Sequence, residues 1–196
     1  MSARDDILGR VRAALVDAPA APTVPRGHRE PGRSSDLLDL FAERISDYRA
    51  VVVRCASADV ADEIALALDG ARAVVPPDLP WAVPDSVVDE GLTARELDDI
   101  EAVVTAAAVG IAETGTVVLD HGPGQGRRAL SLMPDLHVLV VGADEVVAGV
   151  PEAVSRLDPA RPQTWISGPS ATSDIELDRV EGVHGPRRLV VVVAEP

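Results

Sequence analysis

Two stretches of this chain, Leu136–Val141 and Leu189–Val193, are too apolar to leave either face of a strand in water. Successive strand residues point to opposite faces, so a half-exposed strand alternates apolar with polar. A strand covered on both sides reads instead as one apolar run, and sheets of such strands are parallel and sandwiched between helices. Further strands are expected at Ala50–Cys55, Arg72–Val75, Thr116–Leu119 and Gln163–Ser167, with Ala102–Ile111 a longer apolar run. Helical patterns fall between them. Ser35–Ser46 carries Leu37, Leu38, Leu40, Phe41 and Ile45, and Ser57 opens a helix through Leu68 that Gly70 ends. Thr93 with Glu96 forms a capping box, and Pro151 suits the first turn of a helix to Leu157. Strands alternating with helices predict an α/β fold with a parallel-rich sheet and flanking helices. Only 2% of the residues are aromatic, so the core is built from Val, Ala and Leu.

A separate segment precedes this body. Ser2 caps a helix, with Asp5 three residues on, and Ile7, Leu8, Val11 and Leu15 make one apolar stripe. The stretch from Ala18 to Arg33 is rich in Pro, Gly and Arg and reads as a linker. The expected organisation is a helix and linker over residues 1–33 and an α/β domain over 34–196. An amphipathic arm on a linker suits docking to a partner subunit as well as to its own body.

Charge narrows the function. The net charge is −14, and every basic residue is Arg, with no Lys. Nucleic acid and anionic membrane surfaces are poor partners for such a chain, since both need clustered cations. Without Lys there is no Schiff-base lysine and no phosphate-loop lysine. The single cysteine, Cys55, cannot hold an iron–sulfur cluster or close a disulfide within the chain. It sits in an apolar run and reads as a strand thiol. The polar start and the absence of any 18-residue apolar stretch predict a cytoplasmic protein that does not insert in a membrane. No nicotinamide or flavin fingerprint appears, so no cofactor is expected. No close pairing of ligand-type residues predicts a metal.

Three loops are dense in Gly, hydroxyls and acids. Glu113, Thr114, Gly115 and Thr116 lie between two apolar runs, where unpaired polar groups would cost roughly 1–3 kcal/mol each if buried. They form either a ligand loop or a polar turn with its own hydrogen bonds. Gly168, Ser170, Thr172 and Asp174 follow a strand, where backbone N–H groups can cradle a small anion or open a helix. His184 stands between Val183 and Gly185 before the last strand, as a ligand, a proton donor or a solvated side chain. The other histidines, His28, His121 and His137, rank below it. The loop His121–Arg128 carries paired arginines and could meet an anion, but its glycines read first as a mobile loop.

The segments Gly110–Thr116 (GIAETGT), Leu130–Pro134 (LSLMP), Gly168–Glu176 (GPSATSDIE) and Gly182–Pro186 (GVHGP), in this order, resemble the lactate-utilization protein C family and its LUD domain. The resemblance spans roughly residues 35–196 in layout, with its specificity after residue 100. It implies a fold of the NagB/RpiA/CoA-transferase-like type. It also implies a subunit of a system oxidising L-lactate to pyruvate beside iron–sulfur partner subunits, which suits a chain with one cysteine. Within that reading the three loops form one pocket for a small anionic metabolite at the strand ends. Thr114, Gly115, Thr116, Gly168, Ser170, Thr172 and Asp174 hold the ligand, and Glu113 and His184 are the acid–base candidates. Two alternatives stand beside it: a stand-alone CoA-transferase-like enzyme using Glu113 as a carboxylate nucleophile, and a non-catalytic metabolite-sensing module.

Overall fold

The computed structural model describes residues 2–18, 37–172, 180–181 and 185–196. The chain divides into two compact units, Met1–Glu30 and Pro31–Pro196. In the first, helix α1 spans Ala3–Ala14. Its capping box forms as the spacing predicts: the Asp5 N–H donates to Ser2 Oγ, and the Ser2 N–H donates to the Asp5 carboxylate. None of its residues is buried, and Ile7, Val11 and Leu15 are exposed.

In chain order the second unit begins with α2 (Leu37–Asp47), β1 (Val51–Ala56), α3 (Val60–Leu68), β2 (Ala73–Val75), β3 (Ser86–Val88) and α4 (Ala94–Asp98). Next come β4 (Ala102–Ala106), β5 (Val109–Ile111), β6 (Thr116–Leu119), β7 (Leu136–Gly142), β8 (Val146–Val147) and α5 (Val150–Arg156). It closes with β9 (Thr164–Ile166), β10 (Ala171–Thr172), β11 (Val180–Glu181) and β12 (Arg188–Glu195). Six strands form an all-parallel sheet in the order β1-β12-β7-β4-β2-β3. The two apolar runs, β7 and β12, lie side by side near its centre.

Their burial on both faces explains their composition. Leu139, Val141, Leu189, Val191 and Val193 face Phe41 and Ile45 of α2 together with residues of a smaller sheet. Leu136, Val138, Val140, Val190 and Val192 face Val60, Ile64 and Leu68 of α3. A polar residue on either side would lose its water without a partner. The smaller sheet runs β8-β5-β6-β9, with β5–β6 and β6–β9 antiparallel. Helix α5 covers it through Ala153, and Leu157 joins the same cluster.

Several expectations shift in detail. The run Ala102–Ile111 is two strands: β4 belongs to the large sheet, β5 to the small one, and buried Ala107 lies in the passage between them. Strand β3 and the β10–β11 ladder are additions to the expected set. Ser57 does not cap α3; its hydroxyl donates to the Glu195 carbonyl at 2.7 Å, and a 3-10 turn over Ser57–Asp59 leads into the helix. Among the described residues no helix is long and apolar enough to cross a membrane.

Candidate functional site

The hairpin between β5 and β6 carries the first polar loop. Gly115 adopts φ +57° there, and a Cβ on it would lie 2.6 Å from the Arg44 carbonyl carbon. The glycine lets the turn press against the backbone of α2, which is a packing role. Glu113 is exposed at the same turn, with its N–H donating to the Ala148 carbonyl at 3.0 Å. The Thr114 and Thr116 hydroxyls are 2.7 Å apart, and Thr116 Oγ1 lies 2.8 Å from Ser167 Oγ. This chain of hydroxyls ties the hairpin to the end of β9.

The second loop leaves β9 through Gly168, whose φ of +86° lets the backbone pass Tyr48 with no room for a Cβ. The Ser170 N–H then donates to the Pro186 carbonyl at 2.8 Å, so the loops before β10 and before β12 meet. Thr172 pairs through β10 with Val180 of β11. Asp174 and His184 lie outside the described residues.

Around this junction the structure opens a cavity of about 170 Å³. One wall is the run from Thr164 to Ser170, and another is Gly185, Pro186 and Leu189. Arg128, Ser131 and Leu132 come from the loop between β6 and β7, and His137 from the start of β7. His137 and Leu189 are register partners, each the second residue of its strand. The cavity therefore sits at the N-terminal end of the central parallel strands and at the C-terminal end of β9. Of the expected ligand residues, Gly168 and Ser170 line it. Thr116 reaches its wall through Ser167. Glu113, Thr114 and Gly115 are not among its described lining residues.

Four lining residues carry most of its chemistry. The Arg128 guanidinium donates to Ser131 Oγ at 3.0 Å and has no carboxylate partner among the described residues. That sets it apart from its neighbour Arg127, which pairs with the carboxylate of Asp89. Ser131 Oγ donates in turn to the Arg128 carbonyl at 3.1 Å. His137 is fully buried, with Nε2 at 2.8 Å from Thr105 Oγ1, and burial pulls its pKa down to about 4. The imidazole is thus neutral at pH 7. Thr164 is 7% exposed, and its hydroxyl is buried with no hydrogen-bond partner among the described residues. Such a group is rare in a folded protein, and a site that awaits a ligand or water is one setting where it persists.

Sequence reasoning ranked His137 low, because a histidine at the head of an apolar strand reads as core. Thr164 lay in a predicted strand, and no local signal marks its hydroxyl as unpaired. Arg128 carried a signal, the paired arginines in an acidic chain. Among the described residues no three His, Cys, Asp or Glu side chains gather as metal ligands would.

Known proteins bear on this geometry. Residues 33–194 match the LUD domain. The chain is 44% identical to the lactate utilization protein C of Deinococcus radiodurans, over 97% of this chain and 95% of that protein. It is 38% identical to the lactate utilization protein C of Bacillus pumilus, over 43% of this chain and 38% of that one. The crystal structure of a DUF162 family protein from Deinococcus radiodurans superposes with a TM-score of 0.70 at 42% identity, covering 81% of this chain and 96% of that one.

Proposed function

The chain belongs to the LUD domain family, and from that membership we propose that it serves lactate utilization by binding a small anionic metabolite in the cavity beside Arg128. One observation carries the binding reading: Arg128, exposed and without a carboxylate partner among the described residues, lines a cavity together with the hydroxyl residues Ser131, Ser167 and Ser170. Arg donates in a planar fork that matches a carboxylate, and a partly enclosed site strengthens that pairing. The names of its relatives carry the lactate reading.

In this reading the chain is a cytoplasmic subunit without an iron–sulfur cluster of its own. Electrons from L-lactate pass through iron–sulfur partner subunits, and the oxidation yields pyruvate. Gly168 and Ser170 present the loop backbone and a hydroxyl to the anion, with Thr114, Thr116, Thr172 and Asp174 as further ligand-binding candidates. Gly115 keeps the hairpin seated. Glu113 and His184 are the acid–base candidates.

The test has two arms. Tagged chain from lactate-grown cells is expected to co-purify with cysteine-rich iron–sulfur proteins and lactate-oxidising activity. In calorimetry, L-lactate or pyruvate is expected to bind the purified chain, and Arg128→Gln to abolish that binding. A chain that comes down alone and binds neither acid defeats the reading. A second reading, transfer through a Glu113 thioester, draws on the exposure of Glu113. Its signature is a covalent CoA adduct lost in Glu113→Gln.

A further inference from the structure

We propose that the outer edge of β1 pairs with the same edge of a second copy of this chain, antiparallel and centred on Val53, so that two large sheets join across a twofold axis. The inference goes beyond the binding reading and does not depend on it.

The edge itself comes first. β1 ends the large sheet, bonded to β12 on one side and to no described strand on the other. A free strand edge presents unpaired N–H and C=O groups, and proteins usually shorten it or charge it. The other edges of the two larger sheets are short: β3 and β9 have three residues each, and β8 has two. β1 has six. Its one charged side chain, Arg54, is already paired with Asp39 and Glu195. Apolar surface gathers here as well. Val51 is 56% exposed, and Leu66 of α3, at 71%, is the most exposed large apolar side chain described in the α/β unit. Glu63 is near enough to Cys55 to act on its thiol, and Leu66 follows it at i+3. Leu66 therefore lies on the β1 side of α3.

Register and charge choose the occupant. Val53 and Cys55 pack on the α3 side, and Val51 shares their face by alternation, whereas Val52 and Arg54 point to the α2 side. A twofold axis normal to the sheet keeps like faces together, so it must pass through a residue position. Centred on Val53, the pairing sets Val51 opposite Cys55 of the second copy, Val53 opposite its own counterpart, and Arg54 opposite Val52. Centring on Arg54 would oppose two guanidiniums, and centring on Val52 would leave the end of β1 with no strand opposite. The two ends of β1 also differ in charge. Burial raises the Cys55 thiol, and Glu63, Asp59 and Glu195 add to that effect, which marks this end as acidic. At the other end Arg49 precedes β1, and Arg188 begins β12 at the same level, two residues before the Val51–Val190 pair. Antiparallel pairing sets the basic end of each copy against the acidic end of the other.

The experiment is sedimentation velocity on the full chain at micromolar concentration, with diamide oxidation of cysteine variants. A dimer is expected. Val51→Glu places a carboxylate opposite Cys55 and its acids twice over, and is expected to raise the dimer dissociation constant at least about tenfold with an unchanged circular dichroism spectrum. Directly opposite residues have Cα atoms roughly 4.5–5.5 Å apart, within disulfide range. Val53→Cys in a Cys55→Ser background, and Val51→Cys with Cys55 retained, are therefore expected to cross-link the two copies, each pair of thiols passing two electrons and two protons to diamide. Wild-type Cys55, opposite Val51, is expected not to cross-link. A monomeric wild-type chain, a dimer whose affinity Val51→Glu leaves unchanged, a dimer that cross-links through neither cysteine pair, or a Cys55–Cys55 bond in the wild type refutes the proposal.

Discussion

At the scale of single residues, burial makes three positions diagnostic. His137 is fully buried, and its pKa falls from 6.5 to about 4 because the charged imidazolium would lose its water. Between those values the unfolded chain binds more protons than the folded one. The contribution of His137 to stability is therefore complete above pH 6.5 and is lost as pH falls toward 4. The full shift is worth on the order of 3 kcal/mol. Glu145 works in the opposite sense: burial raises its carboxyl, so protonation favours the fold and its contribution fades as pH rises. Urea midpoints are expected to drop between about pH 7 and about pH 5, and His137→Gln to flatten that slope whatever it does to stability at neutral pH. An unchanged slope in the variant would assign the pH dependence elsewhere. Gly115 is the third case. At φ +57°, with the backbone of Arg44 and Ile45 within 2.8 Å of where a Cβ would stand, alanine meets strain and a neighbour that cannot swing aside. Gly115→Ala is expected to cost at least about 2 kcal/mol. For a domain of this size that is a fall of roughly 4–8 °C in Tm by calorimetry.

Between elements, the loop from β6 to β7 divides work between adjacent arginines. It is pinned along its length: the Asp120 N–H donates to Gln125 Oε1 at 2.6 Å, Arg161 pairs with Asp120 at 2.7 Å, and the Ala106 N–H donates to the Gly124 carbonyl at 2.7 Å. Arg127 holds Asp89 through two hydrogen bonds, and Asp89, nearly buried, also accepts from the Gly91 and Leu92 N–H groups. The Arg127 guanidinium beside it keeps the Asp89 carboxyl below its usual range. Arg127→Ala leaves that carboxylate without its cation and is expected to cost roughly 1–3 kcal/mol in chemical denaturation. Arg128→Ala is expected to shift stability by less than about 0.5 kcal/mol yet to remove pyruvate binding. The reverse assignment would refute this division. The mobile loop suggested by the glycines is thus a fastened one, because its ties run to Asp89, Ala106 and Arg161, distant in sequence. Legibility follows the same line. Strands β7 and β12 and the Thr93–Glu96 box were readable, since their signals are local. The break between β4 and β5 was not: Ala107 and Ala108 carry neither Gly nor Pro, and only the second sheet makes the chain turn there. In the site, Gly168 and Ser170 announced themselves by composition. Thr164 and His137 became visible only when β9, β7 and β12 met.

For the molecule as a whole, the large sheet, the small sheet and the cavity all belong to the unit Pro31–Pro196. Helix α1 belongs to the other unit and buries none of its residues. A helix of 12 residues is marginal in water by itself, because nucleation is costly and packing normally supplies most helical stability. Its capping box is exposed to solvent and adds only a small local contribution. Removing residues 1–30 is expected to leave the Tm within about 2 °C and pyruvate affinity within about twofold. The stripe Ile7, Val11 and Leu15 has the i, i+4, i+8 spacing of a helix that docks by one face. If the proposed iron–sulfur partners dock on this stripe, the truncated chain loses them in the pull-down while keeping its fold. Retained partners would move the contact to the α/β body, and a lowered Tm would show that α1 completes the core.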